Sequence, residues 1–224
     1  KMIGVNKALD FVNLSDDYIR KEFSVVGLRL KKELLGISVL DLDTISPKKR
    51  IATTRSFEKY TNDFEYVKER VSTFAVSCAE KLRKQNSSCN LITLFIQTNP
   101  FDKEKPQYFR TVSVHLPYQS NSSITLSQFA IRAFEKIYKD GYAYKKAGVI
   151  VSGLVPEDQR QLSLFESENV HHPNLMKAMD VLNKKFGASK VKLASQDLDR
   201  TWKMRQERLS PCYTTKWKDL LVVY

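Results

Sequence analysis

The sequence predicts an α+β protein built on a β-α-β-β-α-β unit, a split four-stranded antiparallel sheet with two helices on one face. Three observations lead there. Four short segments alternate apolar and polar residues with a period of two: Ile51 to Phe57, Leu91 to Thr98, Tyr108 to Leu116 and Lys145 to Gly153. Two longer segments between them repeat apolar residues at spacings of three and four. Turn residues punctuate the joins, at Asn99-Pro100-Phe101-Asp102 and at Asp140-Gly141. Helices on one face leave the other face of such a sheet open.

Residues 1–45 read as helical. Leu9, Val12 and Leu14 precede a Ser15-Asp16-Asp17 cap signal. Ile19, Phe23, Val26, Leu30 and Leu34 then form one apolar face, and Gly36 is a stop. Ser46-Pro47-Lys48-Lys49-Arg50 is a polar, basic linker in which proline blocks continuation of a helix. The Thr-rich first strand follows. Asn62 with Glu65 reads as a capping box, opening a helix with Val67, Val71, Phe74, Cys78 and Leu82 on one stripe. Asn86-Ser87-Ser88 ends that helix, and Ile92, Leu94 and Ile96 line one face of the second strand. In the third strand Val112, Val114 and Leu116 face one way, and Thr111, Ser113 and His115 the other. Thr125 with Gln128 is a second capping box, whose helix turns Leu126, Phe129, Ala133 and Ile137 inward. After the fourth strand, residues 154–170 read as an extended linker. His171-His172-Pro173 opens an amphipathic helix with Leu175, Met179 and Leu182, closed by Phe186-Gly187, and a basic tail completes the chain.

The chain has 224 residues, with 42% hydrophobic residues and only 7 Gly and 7 Pro, enough for a real core and mostly ordered structure. No apolar run approaches the roughly 18 to 20 residues of a membrane span, and no signal peptide opens the sequence. The expected setting is the cytoplasm. The absence of an initial Met suggests a piece of a longer chain. Cys78, Cys89 and Cys212 have no pairing pattern and no zinc-site spacing, so they read as reduced thiols. Net charge is +12, unevenly spread. Residues 1–47 are neutral in sum, residues 48–155 carry +9 and residues 156–224 carry +3. A local excess of that size points to a polyanion, nucleic acid first. The competing reading is a solvated basic face that only aids solubility.

Gln161-Leu162-Ser163-Leu164-Phe165 lies among Pro156, Glu157, Asp158, Arg160, Glu166 and Glu168. An apolar Leu-Phe pair in such company wants a pocket on another molecule. The pentapeptide resembles the sliding-clamp-binding motif of bacterial DNA polymerases and repair proteins, in which Gln161 would enter a small pocket and Leu164 and Phe165 an apolar cleft. A short buried strand or loop anchor is the other reading of the same residues.

Further blocks extend the likeness over essentially the whole chain. Thr54-Arg55-Ser56-Phe57, Phe95-Ile96-Gln97-Thr98-Asn99-Pro100-Phe101 and Tyr144-Lys145-Lys146-Ala147-Gly148-Val149 resemble strands of UmuC-type Y-family translesion DNA polymerases, the ImpB, MucB and SamB type. Leu209-Ser210-Pro211-Cys212-Tyr213-Thr214-Thr215 is similar to the tail of the UmuC branch. The resemblance implies the end of a helical thumb domain at 1–45, a DNA-binding little finger domain at 48–153, a linker with the clamp motif at 154–170 and a UmuC-type tail at 171–224.

What the resemblance implies about chemistry is an absence. The family's polymerase site uses palm-domain carboxylates that hold two Mg2+ ions, and none of them matches a residue here; Asp41 and Asp43 resemble linker residues. This part of the chain is expected to be noncatalytic, the Mg2+ belonging to the parent polymerase. Its little finger would lie along duplex primer-template DNA and contact phosphates, not base edges. Thr54, Arg55 and Ser56 on the first strand, Thr98 on the second, and Lys145 and Lys146 on the last are the implied contacts. The implied partners are duplex DNA, the bacterial sliding clamp, a UmuD'-like dimer and RecA, in SOS DNA repair. Trp202, Tyr213 and Trp217 in the tail are the expected partner-docking residues, with packing back onto the 175–186 helix as the alternative. His115, His171 and His172 are read as ordinary surface residues. Two other classes share the predicted fold. An RNA-binding module would stack bases on central-strand aromatics within a Gly-rich signature, which Tyr108 to His115 lacks. An adaptor protein would leave the sheet idle.

Overall fold

The computed structural model describes residues 4–40, 46–161, 168–196 and 209–220. Asp41, Asp43, the stretch Leu162 to Phe165, Leu198 and Trp202 lie outside the described residues. The chain forms two compact units, Lys1–Pro47 and Lys48–Tyr224.

In the first unit a short helix α1 (Ala8–Val12) precedes α2 (Asp16–Leu34). The Ser15 hydroxyl caps α2 by accepting from the Tyr18 N–H at 3.3 Å. At the other end Gly36 takes φ +79°. Its N–H donates to Glu33 O and that of Ile37 to Lys32 O, both at 2.9 Å. This is a Schellman stop, the left-handed position where glycine costs nothing. The apolar stripe is present as a pattern but not as a core. Ile19 is buried, while Phe23, Val26, Leu30 and Leu34 stand exposed. The helix is also interrupted at Ser24, with φ 61° and ψ −166°.

The second unit holds β1 (Ile51–Thr61), α3 (Phe64–Lys84), β2 (Ser87–Thr98), β3 (Phe109–Ser120), α4 (Ser123–Ile137) and β4 (Tyr144–Ser152). The strand order is β1-β4-β2-β3, antiparallel throughout. Each β-α-β crossover therefore spans one intervening strand, β4 between β1 and β2, and β2 between β3 and β4. α3 packs across β1 and β4, and α4 across β2 and β3, on one face. Between them the core closes on Val67, Val71, Phe74, Cys78 and Leu82 from α3 and on Leu126, Ala130, Ala133 and Phe134 from α4. Ile92, Leu94 and Ile96 of β2 and Val149 and Val151 of β4 meet them from the sheet.

Both helices are capped away from the expected boxes, α3 one residue later and α4 three residues earlier. Asp63 caps α3 by accepting from Tyr66 N at 3.1 Å, and Ser122 caps α4 by accepting from Thr125 N at 3.4 Å. A side chain three residues before a free N–H is the geometry a cap needs; Asp63 meets it one position after Asn62, and Ser122 three positions before Thr125. Strands β1, β2 and β3 run past their expected ends, because pairing with neighbours extends a ladder beyond its alternating core.

The segment after β4 is not a free linker. Val155–Pro156 forms a fifth short strand, β5, beside Ser87 and Ser88 of β2. Arg160 then pairs with Glu157 at 2.7 Å and with Glu168 at 3.0 Å, and also donates to the Gln119 carbonyl. Helix α5 (His172–Phe186), in the same unit, buries Met176 and Met179, not Leu175 and Leu182, which are exposed. Arg83 of α3 grips Asp180 with two hydrogen bonds, at 2.6 and 2.8 Å, and donates to Asn121 O and Ser123 Oγ. Met176 Sδ accepts from the Ser123 N–H at 3.3 Å, and His172 Nδ1 lies 3.1 Å from Ser122 Oγ. His172 is thus a half-buried packing residue beside the α4 cap and not a surface one. No described helix is long and apolar enough to cross a membrane.

Burial pushes the Cys89 thiol up to about 12 from its ordinary 9.0, and the Tyr144 hydroxyl up to about 12 from 10.0. In both, the charged form is the deprotonated one. Below pH 9.0 the stability they contribute is intact. Above it the unfolded chain releases a proton that the fold retains, so stability falls by about 1.4 kcal/mol per pH unit for each such group. Urea midpoints are expected to drop between neutral pH and about pH 10, with a shallower drop in Cys89→Ala. An equal drop in wild type and variant would show that Cys89 does not drive it.

Candidate nucleic-acid interface

Alternation along the four strands defines what stands on the face that the helices leave uncovered. Thr54 and Ser56 come from β1, Lys146, Gly148, Ile150 and Ser152 from β4, Leu91, Thr93, Phe95 and Gln97 from β2, and Phe109, Thr111, Ser113 and His115 from β3. Cross-strand contacts confirm the phase. Thr93 Oγ1 lies 2.8 Å from Ser113 Oγ, and the Phe95 and Phe109 rings lie 6.4 Å apart. Gly148 lies buried beneath this face. A Cβ at that position would meet Phe95 Cε1 and Thr54 Cγ2 at 2.5 Å. The missing side chain is what lets the Phe95 ring lie flat across β4 towards β1.

The face is rich in hydroxyls but not strongly basic, contrary to expectation. Among the residues just named, Lys146 is the one Lys, Arg, Asp or Glu. Of the +9 of residues 48–155, the basic linker carries +3 and helices α3 and α4 +3, while the strands carry +4 divided between their two faces and the loops −1. Strands alternate, so a charge total cannot say which face carries it.

Of the six expected contact residues, the structure brings Thr54, Ser56 and Lys146 together on the open face. Arg55 falls out of phase with them. It pairs with Ala147, whose side chain is buried under the helices, so Arg55 points to the helix side. Thr98 is only 4% exposed. Its hydroxyl donates to Gln107 Oε1 at 2.9 Å and accepts from the Tyr108 N–H at 3.0 Å, closing the β2–β3 loop. Lys145 sits in a bulge between the pairs of Lys146 and Tyr144. Its ammonium donates to Glu58 O at 2.9 Å and lies 5.2 Å from the centre of the Tyr60 ring.

Tyr60 was not singled out by the sequence, yet it organises this end of the sheet. Lys105 Nζ lies 4.0 Å from its ring centre, and Asn99 Nδ2 donates to its hydroxyl at 2.9 Å. The Lys105 ammonium, hydrogen-bonded to Asp102 at 3.0 Å, holds that carboxyl below the usual range, and Asp102 in turn raises Lys105. Below, Tyr108, Tyr138, Tyr142 and Tyr144 stack with Phe64 and Phe134. The hydroxyls of Tyr108 and Tyr144 donate to the carbonyls of Ile137 and Lys139. The number of tyrosines in this stretch was the visible signal; their convergence was not.

At the other end of the chain, Gln161 is exposed at the start of the clamp-like pentapeptide. Both flanks of that pentapeptide are pinned, since Arg160 binds Glu157 and Glu168, and Ser120 Oγ donates to Glu168. In the tail, Trp217 is 89% exposed and Tyr213 is exposed, near a turn in which the Cys212 N–H donates to Asp219 at 2.8 Å. Trp217 does not pack back onto α5.

With this geometry in view, the family can be given. Residues 48–164 match the impB/mucB/samB family C-terminal domain, and residues 173–223 match a domain of unknown function, DUF4113. The chain belongs to the impB/mucB/samB family. It is 35% identical to Protein UmuC of Salmonella typhimurium over 99% of its length, covering 53% of that relative. It is likewise 35% identical to Protein ImpB of Salmonella typhimurium, and 32% identical to Protein MucB of Escherichia coli, in each case over 97% of this chain and 52% of the relative. The chain spans about half the length of the curated relatives it matches. The boundary between the two matched regions falls just before α5, so the Arg83–Asp180 pair ties the second region to the first.

Gly148→Ala places a methyl where the Phe95 ring and Thr54 already stand. The expected result is a loss of about 1–3 kcal/mol in urea unfolding. Pairing it with Phe95→Ala should recover part of that loss, since the ring is the obstacle. Unchanged stability in Gly148→Ala would mean the ring is not held against β4.

Proposed function

We propose that this chain is the noncatalytic C-terminal part of a UmuC-like translesion DNA polymerase that grips duplex primer-template DNA and tethers the enzyme to the sliding clamp during SOS repair. Family membership, together with the open face, carries the reading. In this reading residues 1–45 are the end of the thumb, 48–153 the little finger, 154–170 the clamp-binding segment and 171–224 the UmuC-type tail, working in the cytoplasm.

The open face suits a backbone grip. Thr54, Ser56, Thr93, Thr111 and Ser113 present short hydroxyls that admit a phosphate backbone closely, and Lys146 supplies charge at one end. Such contacts fix position without reading bases, as a sliding enzyme needs. Lys145 joins from the bulge. Arg55 and Thr98, whose side chains serve the other face and the loop, drop out of the contact set. The stacking aromatics of an RNA-binding module are poorly matched: Phe95 is spent on filling the space above Gly148. Nucleotidyl transfer is assigned to carboxylates of the parent that would hold Mg2+. The residues present do not fit that pair of ions, since among the described residues no three His, Cys, Asp or Glu side chains converge. No step of that chemistry is assigned to this chain.

The tether is Gln161 to Phe165, with Gln161 orienting and Leu164 and Phe165 as anchors. A segment whose flanking residues Arg160 and Glu168 are held together loses less freedom on binding than one with free flanks. Trp202, Tyr213 and Trp217 form the tail's docking surface for a UmuD'-like dimer, with RecA as a further partner. Exposed Trp beside basic residues is the kind of side chain that dominates protein interfaces.

Salt-dependent titration of duplex DNA tests the grip. Lys145→Ala with Lys146→Ala should weaken binding equally on unrelated sequences. It should also shallow the log K against log salt slope by roughly one to two. A loss confined to one sequence would mean base readout and sink the proposal. For the tether, calorimetry with a bacterial sliding clamp should show binding lost in Leu164→Ala with Phe165→Ala, with the urea midpoint unchanged. Each anchor is worth on the order of 1–3 kcal/mol. Undiminished clamp affinity would remove the pentapeptide from the reading.

A further inference from the structure

The loop between β2 and β3, residues 99–107, ends in an unusual way for so ordered a segment. Phe101 at its tip is 89% exposed. Single exposed apolar side chains are ordinary on a protein surface. The loop under Phe101 is not, because almost every polar group in it is fixed. Asn99 Oδ1 accepts the Phe101 N–H at 3.2 Å, and Asn99 O accepts the Asp102 N–H at 3.2 Å. Gln107 Nε2 crosses the loop to the carbonyls of Asp102 at 2.6 Å and Lys105 at 3.1 Å. Its Oε1 takes the Thr98 hydroxyl, while Asn99 and Lys105 clamp the loop to Tyr60. None of these bonds uses the Phe101 ring, and none needs it. The scaffold holds an aromatic ring out in water with little freedom left to lose on binding.

The surroundings say what kind of partner the ring suits. Lys103 is exposed two residues further on, and Lys145 and Lys146 begin the adjacent strand at the same end of the sheet. Of the loop's two carboxylates, Asp102 is taken by Lys105 and Glu104 is matched by Lys103, which leaves Lys145 and Lys146 as the local excess of charge. A rigid ring at the end of the sheet that carries Lys145 and Lys146 matches a polyanion with flat faces. In an intact duplex the base faces are stacked on one another and closed. An unpaired base offers its face, and stacking on an aromatic side chain is how single strands are held without sequence preference. Two neighbouring aromatics are occupied, since Tyr60 has Lys105 and Lys145 against its ring and Phe95 covers Gly148, while Phe109 stands on the open face itself beside Phe95.

We propose that Phe101, on its braced loop, is a stacking site for an unpaired base in the single-stranded nucleic acid next to the duplex held by the open face. This rests on the DNA-binding reading above, and the experiment separates the two. The full 224-residue chain is titrated with a blunt duplex and with the same duplex carrying a single-stranded overhang, whose first unpaired base is 2-aminopurine. Wild type should bind the tailed duplex about tenfold more tightly and should quench the probe. Phe101→Ala should lose both the preference and the quenching, and keep its blunt-duplex affinity and urea midpoint. Phe101→Trp should retain both. Persisting preference and quenching in Phe101→Ala would overturn the inference, as would an equal loss on the two DNAs. Blunt-duplex binding by wild type with no overhang preference would overturn it while leaving the duplex grip standing. Failure of wild type to bind either DNA would overturn both.

Discussion

Two helices can cover only one face of a four-stranded sheet, and that one-sided burial is the constraint from which the rest of this structure follows. α3 and α4 bury the inward residues of all four strands in a single layer. The outward residues are then free of packing duties, and they are short and polar for the most part: Thr54, Ser56, Thr93, Thr111 and Ser113. Phe95 on that side lies over Gly148. The result is a shallow face that a large, smooth ligand can approach closely. Hydroxyls and a few lysines on such a surface favour contact with a backbone over the reading of individual bases.

The same constraint explains why the ends of the sheet are so heavily braced. A single-layer core is thin at its edges, where strands outrun the helices. At one end the stacked tyrosines under Tyr60 and the Thr98–Gln107 contacts close the gap. At the other, β5, Arg83 and helix α5 do so. Arg83 alone joins α3, the turn before α4 and Asp180 of α5. A charged side chain that is mostly buried is tolerated because each of its three nitrogens has a partner. The matched region that begins at residue 173 is therefore not hung on a string behind the first. Its opening helix completes the first region's packing.

The first unit shows the opposite case. Its α2 carries a clear apolar stripe, yet Phe23, Val26, Leu30 and Leu34 are exposed. Periodicity states that a face is meant to be covered, and says nothing of what covers it. The stop at Gly36, by contrast, is entirely local, and it formed as the sequence indicated.

What the sequence determined by itself was whatever depends on neighbours along the chain. The strand and helix order, the α3 stripe from Val67 to Leu82, the α5 helix after His171 and the turn at Asn99 to Asp102 are all of this kind, because periods of 2 and 3.6 and turn chemistry act over a few residues. The likeness to UmuC-type proteins was legible for the same reason, since it rests on short contiguous blocks. What only the tertiary structure decided was placement. Capping moved to Asp63 and Ser122 because a cap is settled by which side chain reaches a free N–H. Arg55 and Thr98 left the open face because a strand's phase is set by its partners: Arg55 sits opposite buried Ala147, and the Thr98 hydroxyl is drawn into the loop by Gln107. The +9 did not gather on the sheet because a charge count carries no direction. Tyr60 with its two lysines, the pinned flanks of the pentapeptide and the braced ring of Phe101 each join residues far apart in sequence. No local pattern encodes such a meeting, and only the closed fold brings it about.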